Sequence, residues 1–441
     1  MKILKLAFLP VTTLLIFLYL YGAIQHSNLI NIRTRTGDLD HGDQGAYIEV
    51  IKKTYNESFR FLGDRNRMPL YTTFQAIFYT PGITDERLFA QAKLINIFFS
   101  IFLIYLMFIF NRRYISKLSN IVFTLIIGFS VFLPRSAYVQ PELLYFTLSF
   151  FAFVYFCKTI KHKKVADVVF AAILAVAAYM TKASMLLGFG FFIFFLFLSG
   201  LKGYRIKRML AIPIIALIIF LSLVSPYLIQ TKKLYGGYFF NYATTYMWSQ
   251  NWDEALTVDK KLRNIEYIRS LSKDQLPSLG RYIKERSASD MSLRMFTGII
   301  LNIGILLGTY ATLSSAILIL YILFLIYFIF SSIRLDSFRR FLNQNKAVII
   351  FILGYLLSYF FAFSWYAPIG AGPRFTFTTY IPALFSVLYL SEKLSIKGEV
   401  SKFNPISTQL FYLTHIASFI ILFLGVKGLI FPYLFTSWAG F

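Results

Sequence analysis

The sequence predicts an all-α integral membrane fold, and three observations carry that expectation. Of the 441 residues, 57% are hydrophobic and 19% aromatic, with a positive mean hydropathy that soluble enzymes rarely show. Apolar runs of about 20 residues, the length needed to cross a hydrocarbon core of ~30 Å, recur along the chain. Short Lys and Arg clusters punctuate these runs in alternate loops, the pattern produced when basic segments are kept in the cytoplasm.

About eleven transmembrane helices are expected, within a range of 10–13. They fall at roughly 4–24, 89–110, 119–134, 141–157, 165–181, 184–200, 209–229, 299–330, 347–363, 374–390 and 407–425. The stretch 295–330 is too long for one simple span, so an interfacial segment feeding a helix, or a tilted or broken helix, is expected there. The first run follows Lys2 and Lys5 as a signal peptide would, but no small-residue cleavage site lies behind it, and it reads as a retained helix.

With the N-terminus cytoplasmic, the inner loops (1–5, 111–118, 158–164, 201–208, 331–346 and 391–405) hold 20 Lys and Arg, against only Asp336, Glu392 and Glu399. The outer loop 25–88 instead balances eight basic with eight acidic residues. The net charge of +24 is therefore largely topogenic. Such scattered clusters form no nucleic-acid-binding face. The single cysteine, Cys157, excludes a disulfide or thiolate metal site within one chain and reads as a small core residue. A composition rich in Lys, Ile, Phe and Asn points to a bacterial plasma membrane.

The whole chain, 1–441, reads as one membrane-embedded unit with two long outer loops, 25–88 and 230–294. Any chemistry is expected in these loops. In the first, Ala46, Tyr47, Val50, Ile51 and Tyr55 recur at helical spacing while Glu49, Lys52, Lys53 and Asn56 face the other way, which describes an amphipathic interfacial helix. Pro69 opens a second short helix, with Leu70, Phe74, Ile77 and Phe78 as its apolar stripe. Just before the first helix lies an acidic cluster, Asp38, Asp40 and Asp43, with His41 among it. One aspartate suffices for an N-cap, so three exceed what capping requires.

An ordered series of motifs runs along nearly the whole chain: GDQGAY (42–47), GDRNRMPLY (63–71), VQPELLY (139–145), YMTKAS (179–184), SPYLIQTKKLYGGYFFNY (225–242), YMWSQNWDEA (246–255) and WYAPIGAGPRF (365–375). A first helix, an acidic cluster, two interfacial helices, many spans and a second long outer loop together resemble the GT-C superfamily of lipid-linked-sugar glycosyltransferases. That superfamily includes the protein O-mannosyltransferases and the bacterial aminoarabinose transferases. The sequence differs from the larger members in showing no soluble C-terminal domain, which would leave acceptor recognition to the loops.

The resemblance implies transfer of a sugar from a polyprenyl-phosphate or diphosphate carrier to a glycan, lipid or protein acceptor on the outer face. An aspartate of the first outer loop would deprotonate or orient the acceptor. Asp43, one helical turn before Tyr47, best matches it, and Asp40 is second. Cations near headgroup level would stabilise the leaving phosphate. Arg67, Lys182 and Arg374 are the candidates, with Arg135 in reserve, since ionisable groups at membrane depth usually face a cavity or a partner. Tyr47, Tyr246 and Trp248 are candidates for the acceptor or sugar, although aromatic residues also form the ordinary interfacial belt. Some superfamily members need a divalent metal and others do not, so Asp38, Asp40, His41 and Asp43 are also candidate ligands for a hard or borderline cation. A flippase or transporter of lipid-linked saccharides, and a polysaccharide polymerase or ligase, remain alternatives. A transporter predicts charges spread along a central path and a repeat between halves.

Overall fold

A computed structural model describes residues 2–30, 43–60, 67–201, 206–239, 247–262, 277–307, 311–332, 336–370, 373–395 and 405–430, with single positions at 241, 245, 267, 270 and 275. Every regular element among them is helical. In chain order they are α1 (Lys2–Asn28), α2 (Asp43–Asn56), α3 (Pro69–Ala76), α4 (Asp85–Asn111), α5 (Lys117–Ser136), α6 (Glu142–His162), α7 (Val165–Thr181) and α8 (Met185–Leu201). The second half adds α9 (Ile206–Tyr235), α10 (Trp252–Leu262), α11 (Leu279–Glu285), α12 (Ala288–Leu307), α13 (Ala311–Ser332), α14 (Asp336–Gly370), α15 (Pro373–Ser395) and α16 (Pro405–Ile430).

Eight of the described helices are long and apolar enough to cross a membrane: α4, α5, α6, α9, α12, α13, α14 and α16. The apolar α7 and α8 are shorter, and α1 and α15 are further long helices at expected span positions. The run expected at 299–330 is two helices, α12 and α13, whose junction at 308–310 lies outside the described residues. Ser315 Oγ donates to the Leu306 carbonyl at 2.5 Å, so the two helix ends lie side by side. Gly298 lets α12 cross α14 in backbone contact: a Cβ there would lie 1.8 Å from the Ser364 carbonyl oxygen.

The core is one continuous apolar cluster contributed by α1, α4–α9 and α13–α16. Phenylalanine dominates it because a bundle whose neighbours are lipid tails gains its cohesion from close packing, and large flat rings interdigitate well. Phe156 and Phe192 stack at 4.1 Å, Phe189 and Phe220 at 4.3 Å.

Both short helices expected in the first outer loop form. In α2 the packed side is Tyr47, Ile48, Val50, Ile51 and Thr54, with Glu49, Lys53 and Asn56 exposed. The packed side of α3 is largely polar. Ile77 and Phe78, from the apolar stripe, are 63% and 44% exposed, whereas Tyr71, Thr72, Gln75 and Ala76 are buried. The polar side turns inward because its partners are there: Gln75 Nε2 donates to Asn96 Oδ1 at 2.7 Å, and Asn96 Nδ2 to the Tyr71 hydroxyl at 2.8 Å. Away from water a buried amide must find such partners, whereas an apolar side chain can face outward at little cost beside lipid.

Candidate functional site

The turn between α5 and α6 organises the site. Its Val139 amide donates to Gln44 Oε1 at 3.0 Å, and its Tyr138 carbonyl accepts from Asn96 Nδ2 at 2.6 Å. These bonds tie the turn to the first residues of α2 and to α4. As a result Glu142, which opens α6, stands near Asp43, which opens α2.

Three cations from three further segments close on these two acids. Arg374, in the first turn of α15, places Nη1 2.5 Å from Asp43 Oδ2 and 4.0 Å from Glu142 Oε1. Arg67, just ahead of α3, places Nη2 3.4 Å from Asp43 Oδ1. Lys182, which follows the last residue of α7, donates from Nζ to Glu142 Oε1 at 3.2 Å. The walls are aromatic: the Arg67 guanidinium lies over Tyr47, which meets Tyr71 edge-on, while Lys182 and Arg374 both lie over Phe375.

Exposure separates the two acids. The Asp43 side chain is 41% exposed and that of Glu142 only 5%. Partial burial alone would push the Asp43 carboxyl up, but Arg374 first, then Arg67 and Lys182, outweigh it and hold the group below its ordinary value. Lys182 is held below the usual lysine range, because desolvation and the nearby Arg374 outweigh its attraction to Glu142 and Asp43. Three cations against two acids leave this cluster with one net positive charge, a setting suited to an anion.

Asp43, Arg67, Lys182 and Arg374, widely separated in sequence, thus come together, with Tyr47 as a buried wall. The Arg135 guanidinium lies over Tyr138 at 5.3 Å, and its charge acts on Glu142. Asp38, Asp40, His41 and Tyr246 lie outside the described residues. Among the described residues no three His, Cys, Asp or Glu side chains gather as metal ligands. Both Asp43 oxygens face arginines, so these residues fit an anion better than a cation. Glu142 is the functional candidate that sequence reasoning passed over; its signal was a carboxylate at the head of an apolar helix.

Trp248 belongs to a second cluster, built around Arg294 of α12. The guanidinium lies 4.3 Å from the Trp365 ring centroid and 5.2 Å from that of Tyr282, and it donates to the Met247 and Trp365 carbonyls at 2.8 and 3.2 Å. Beside it, Trp248, Glu254, Gln275, Arg281 and Tyr282 help line a cavity of about 180 Å³. The two clusters meet along α14 and α15: Tyr366, next to Trp365, packs on Phe375 at 5.3 Å.

No family model and no curated protein matches the sequence. Solved structures do match the fold. The archaeal oligosaccharyltransferase AglB from Archaeoglobus fulgidus, in complex with an inhibitory peptide and a dolichol-phosphate, superposes with a TM-score of 0.54 at 13% identity, over 94% of this chain and 55% of that one. The Archaeoglobus fulgidus oligosaccharyltransferase in complex with Zn and sulfate superposes with a TM-score of 0.53 at 13% identity, over 94% and 53%. The chain spans about half the length of these neighbours. This likeness, over 94% of the chain, shows that it shares the helical fold of these oligosaccharyltransferase structures.

Proposed function

We propose that the chain is a membrane glycosyltransferase that moves a sugar from a polyprenyl-phosphate or diphosphate carrier to an acceptor hydroxyl at the outer face of the membrane. The observation that carries this reading is the half-exposed Asp43 carboxylate, set among Arg67, Lys182 and Arg374 at the ends of apolar helices. Sugar transfer needs both parts: a carboxylate beside the acceptor oxygen and cations where the leaving phosphate gains charge. The fold neighbour bound to dolichol-phosphate supports a lipid-linked donor.

In the proposed step the acceptor oxygen attacks the anomeric carbon while its proton passes to Asp43. The bond from anomeric carbon to phosphate oxygen breaks with its electron pair, and the departing phosphate is received by Arg374, Arg67 and Lys182. Attack opposite the leaving group inverts the anomeric centre. Asp43 forms no bond to the sugar. The second outer loop, with Trp248 and the aromatic cavity, is the proposed acceptor side, because rings stack on sugar faces. The proposed steps use the chain's own side chains; Asp38, Asp40 and His41, the further candidate ligands for a divalent cation, lie outside the described residues.

Among the described residues the cations of this cluster gather at one end of the bundle, which favours an enzyme over a flippase, whose charges would be spread along a central path. The test is reconstitution in liposomes with a panel of labelled polyprenyl-linked sugars and candidate acceptors. Formation of a new glycoside is expected. Redistribution of labelled lipid between leaflets without product would overturn the reading.

A further inference from the structure

We propose that Glu142 is a positioning residue, the fixed counter-ion that keeps Lys182 and Arg374 in place while a phosphate group takes over Asp43's position on Arg374. This role presupposes that the cations receive the carrier's phosphate, and it adds a residue that touches neither phosphate nor sugar.

The two carboxylates share Arg374 but not its accessible side. Asp43 is held by Nη1 at 2.5 Å and is 41% exposed; Glu142 stands 4.0 Å from the same nitrogen and is 5% exposed. An anion arriving from the headgroup layer therefore competes with Asp43 and cannot reach Glu142. The exchange is chemically easy, because a guanidinium fork that binds one carboxylate presents the same donors to phosphate oxygens. Once released, Asp43 is no longer neutralised by Arg374 and becomes the stronger base that the proton transfer needs. Donor binding and activation of the carboxylate become a single event.

That exchange works only if the cations stay where they are. Lys182 and Arg374 repel each other, and among the described residues the acid placed between them is Glu142. Its Oε1 serves Lys182 at 3.2 Å, while Oε2 is buried without a hydrogen-bond partner among the described residues. A carboxylate with a purely structural task would be expected to use both oxygens, and an apolar side chain of similar shape would fill the space at lower cost. What Glu142 contributes is a negative charge held at that point.

The sign of one measurement separates this role from simple electrostatics. Removing a negative charge raises the local positive potential, which by itself tightens anion binding; removing a positioning group loosens it. The experiment uses the full chain in lipid nanodiscs and decyl phosphate as the probe, with affinity read by calorimetry. Glu142→Gln is expected to weaken binding about tenfold, while Glu142→Asp, which keeps the charge, stays within about threefold of wild type. Glu142→Gln is expected to cost less in a Lys182→Met background than in wild type, but still to weaken binding, since Glu142 acts through Lys182 and Arg374 together. Equal or tighter binding by Glu142→Gln would overturn the role, as would equal losses in the Gln and Asp variants. Failure of the wild type to bind decyl phosphate would instead overturn the phosphate reading, and this role with it.

Discussion

Arg374, in the first turn of α15, and Arg294, about two turns into α12, both sit among aromatic side chains, yet they are committed differently. Arg294 is 3% exposed, lies against Trp365 and Tyr282, and donates to two backbone carbonyls. Those acceptors belong to the main chain, and no ligand can replace them without unfolding the segment that carries them. Arg374 donates to a side-chain carboxylate, 30% exposed itself, against a partner 41% exposed. A replaceable partner, rather than the arginine or its aromatic surroundings, distinguishes Arg374 under the proposed reading; Arg294 instead joins the segment at Met247 to the end of α14.

The largest effects should come from the ionic cluster. Asp43→Asn should lower kcat for transfer by about 10²–10⁴-fold, the range for loss of a general base, while the variant still binds the carrier phosphate. Near-wild-type turnover would remove Asp43 from the chemistry and erase the contrast with Arg294. The pH profile sharpens the same point. Arg374, Arg67 and Lys182 hold Asp43 below its ordinary value in the free protein, so the acid limb of kcat/KM should lie below the usual carboxylate range. The stability contributed by this pairing is present above that range and is lost as the pH falls through the lowered value. The acid limb of kcat, which reports the donor complex, should lie higher, because phosphate then occupies Arg374.

A smaller and different effect is expected at the second cluster. Arg294→Met removes the donor to the Met247 and Trp365 carbonyls and the guanidinium contact with the Trp365 ring, and should destabilise the fold by roughly 2–4 kcal/mol. Thermal unfolding in detergent would register the loss, with decyl phosphate affinity unchanged in the folded fraction. An unchanged melting temperature with weakened phosphate binding would reverse the assignment. Smallest of all is the Lys52–Asp85 bridge between α2 and α4, whose side chains are 31% and 26% exposed. Lys52→Met should cost under about 1 kcal/mol, since exposed pairs gain little over hydration. A larger loss in the same melt would show that α2 depends on this bridge to hold Asp43.

Much of this was legible in the chain. Apolar periodicity and the asymmetry of basic loops are local properties, and they outlined the helical bundle, the two short helices after the first span, and a stretch at 295–330 too long for one simple span. Lys182 and Arg374 were legible as charges beside apolar runs, Arg67 as a cation ahead of a short helix, and Asp43 by its match to the acidic cluster of the superfamily the sequence resembles. The stripe of α3 was legible, but its packing partner was not: the polar side, Tyr71 and Gln75, turns in to meet Asn96. Glu142 went unranked because a single carboxylate at a helix start is ordinary capping chemistry until its neighbours are known.

The sequence by itself determined the solvent, the class of fold and the kinds of group available, because hydropathy and charge act residue by residue. Only the tertiary structure decided which acid meets which cation. Residues 43 and 374 are held at 2.5 Å by the packing of α2, α6 and α15, and contacts between segments so distant in the chain leave no period to read. It also decided that Glu142 lies behind and Asp43 in front, a difference in burial that gives two like charges separate tasks.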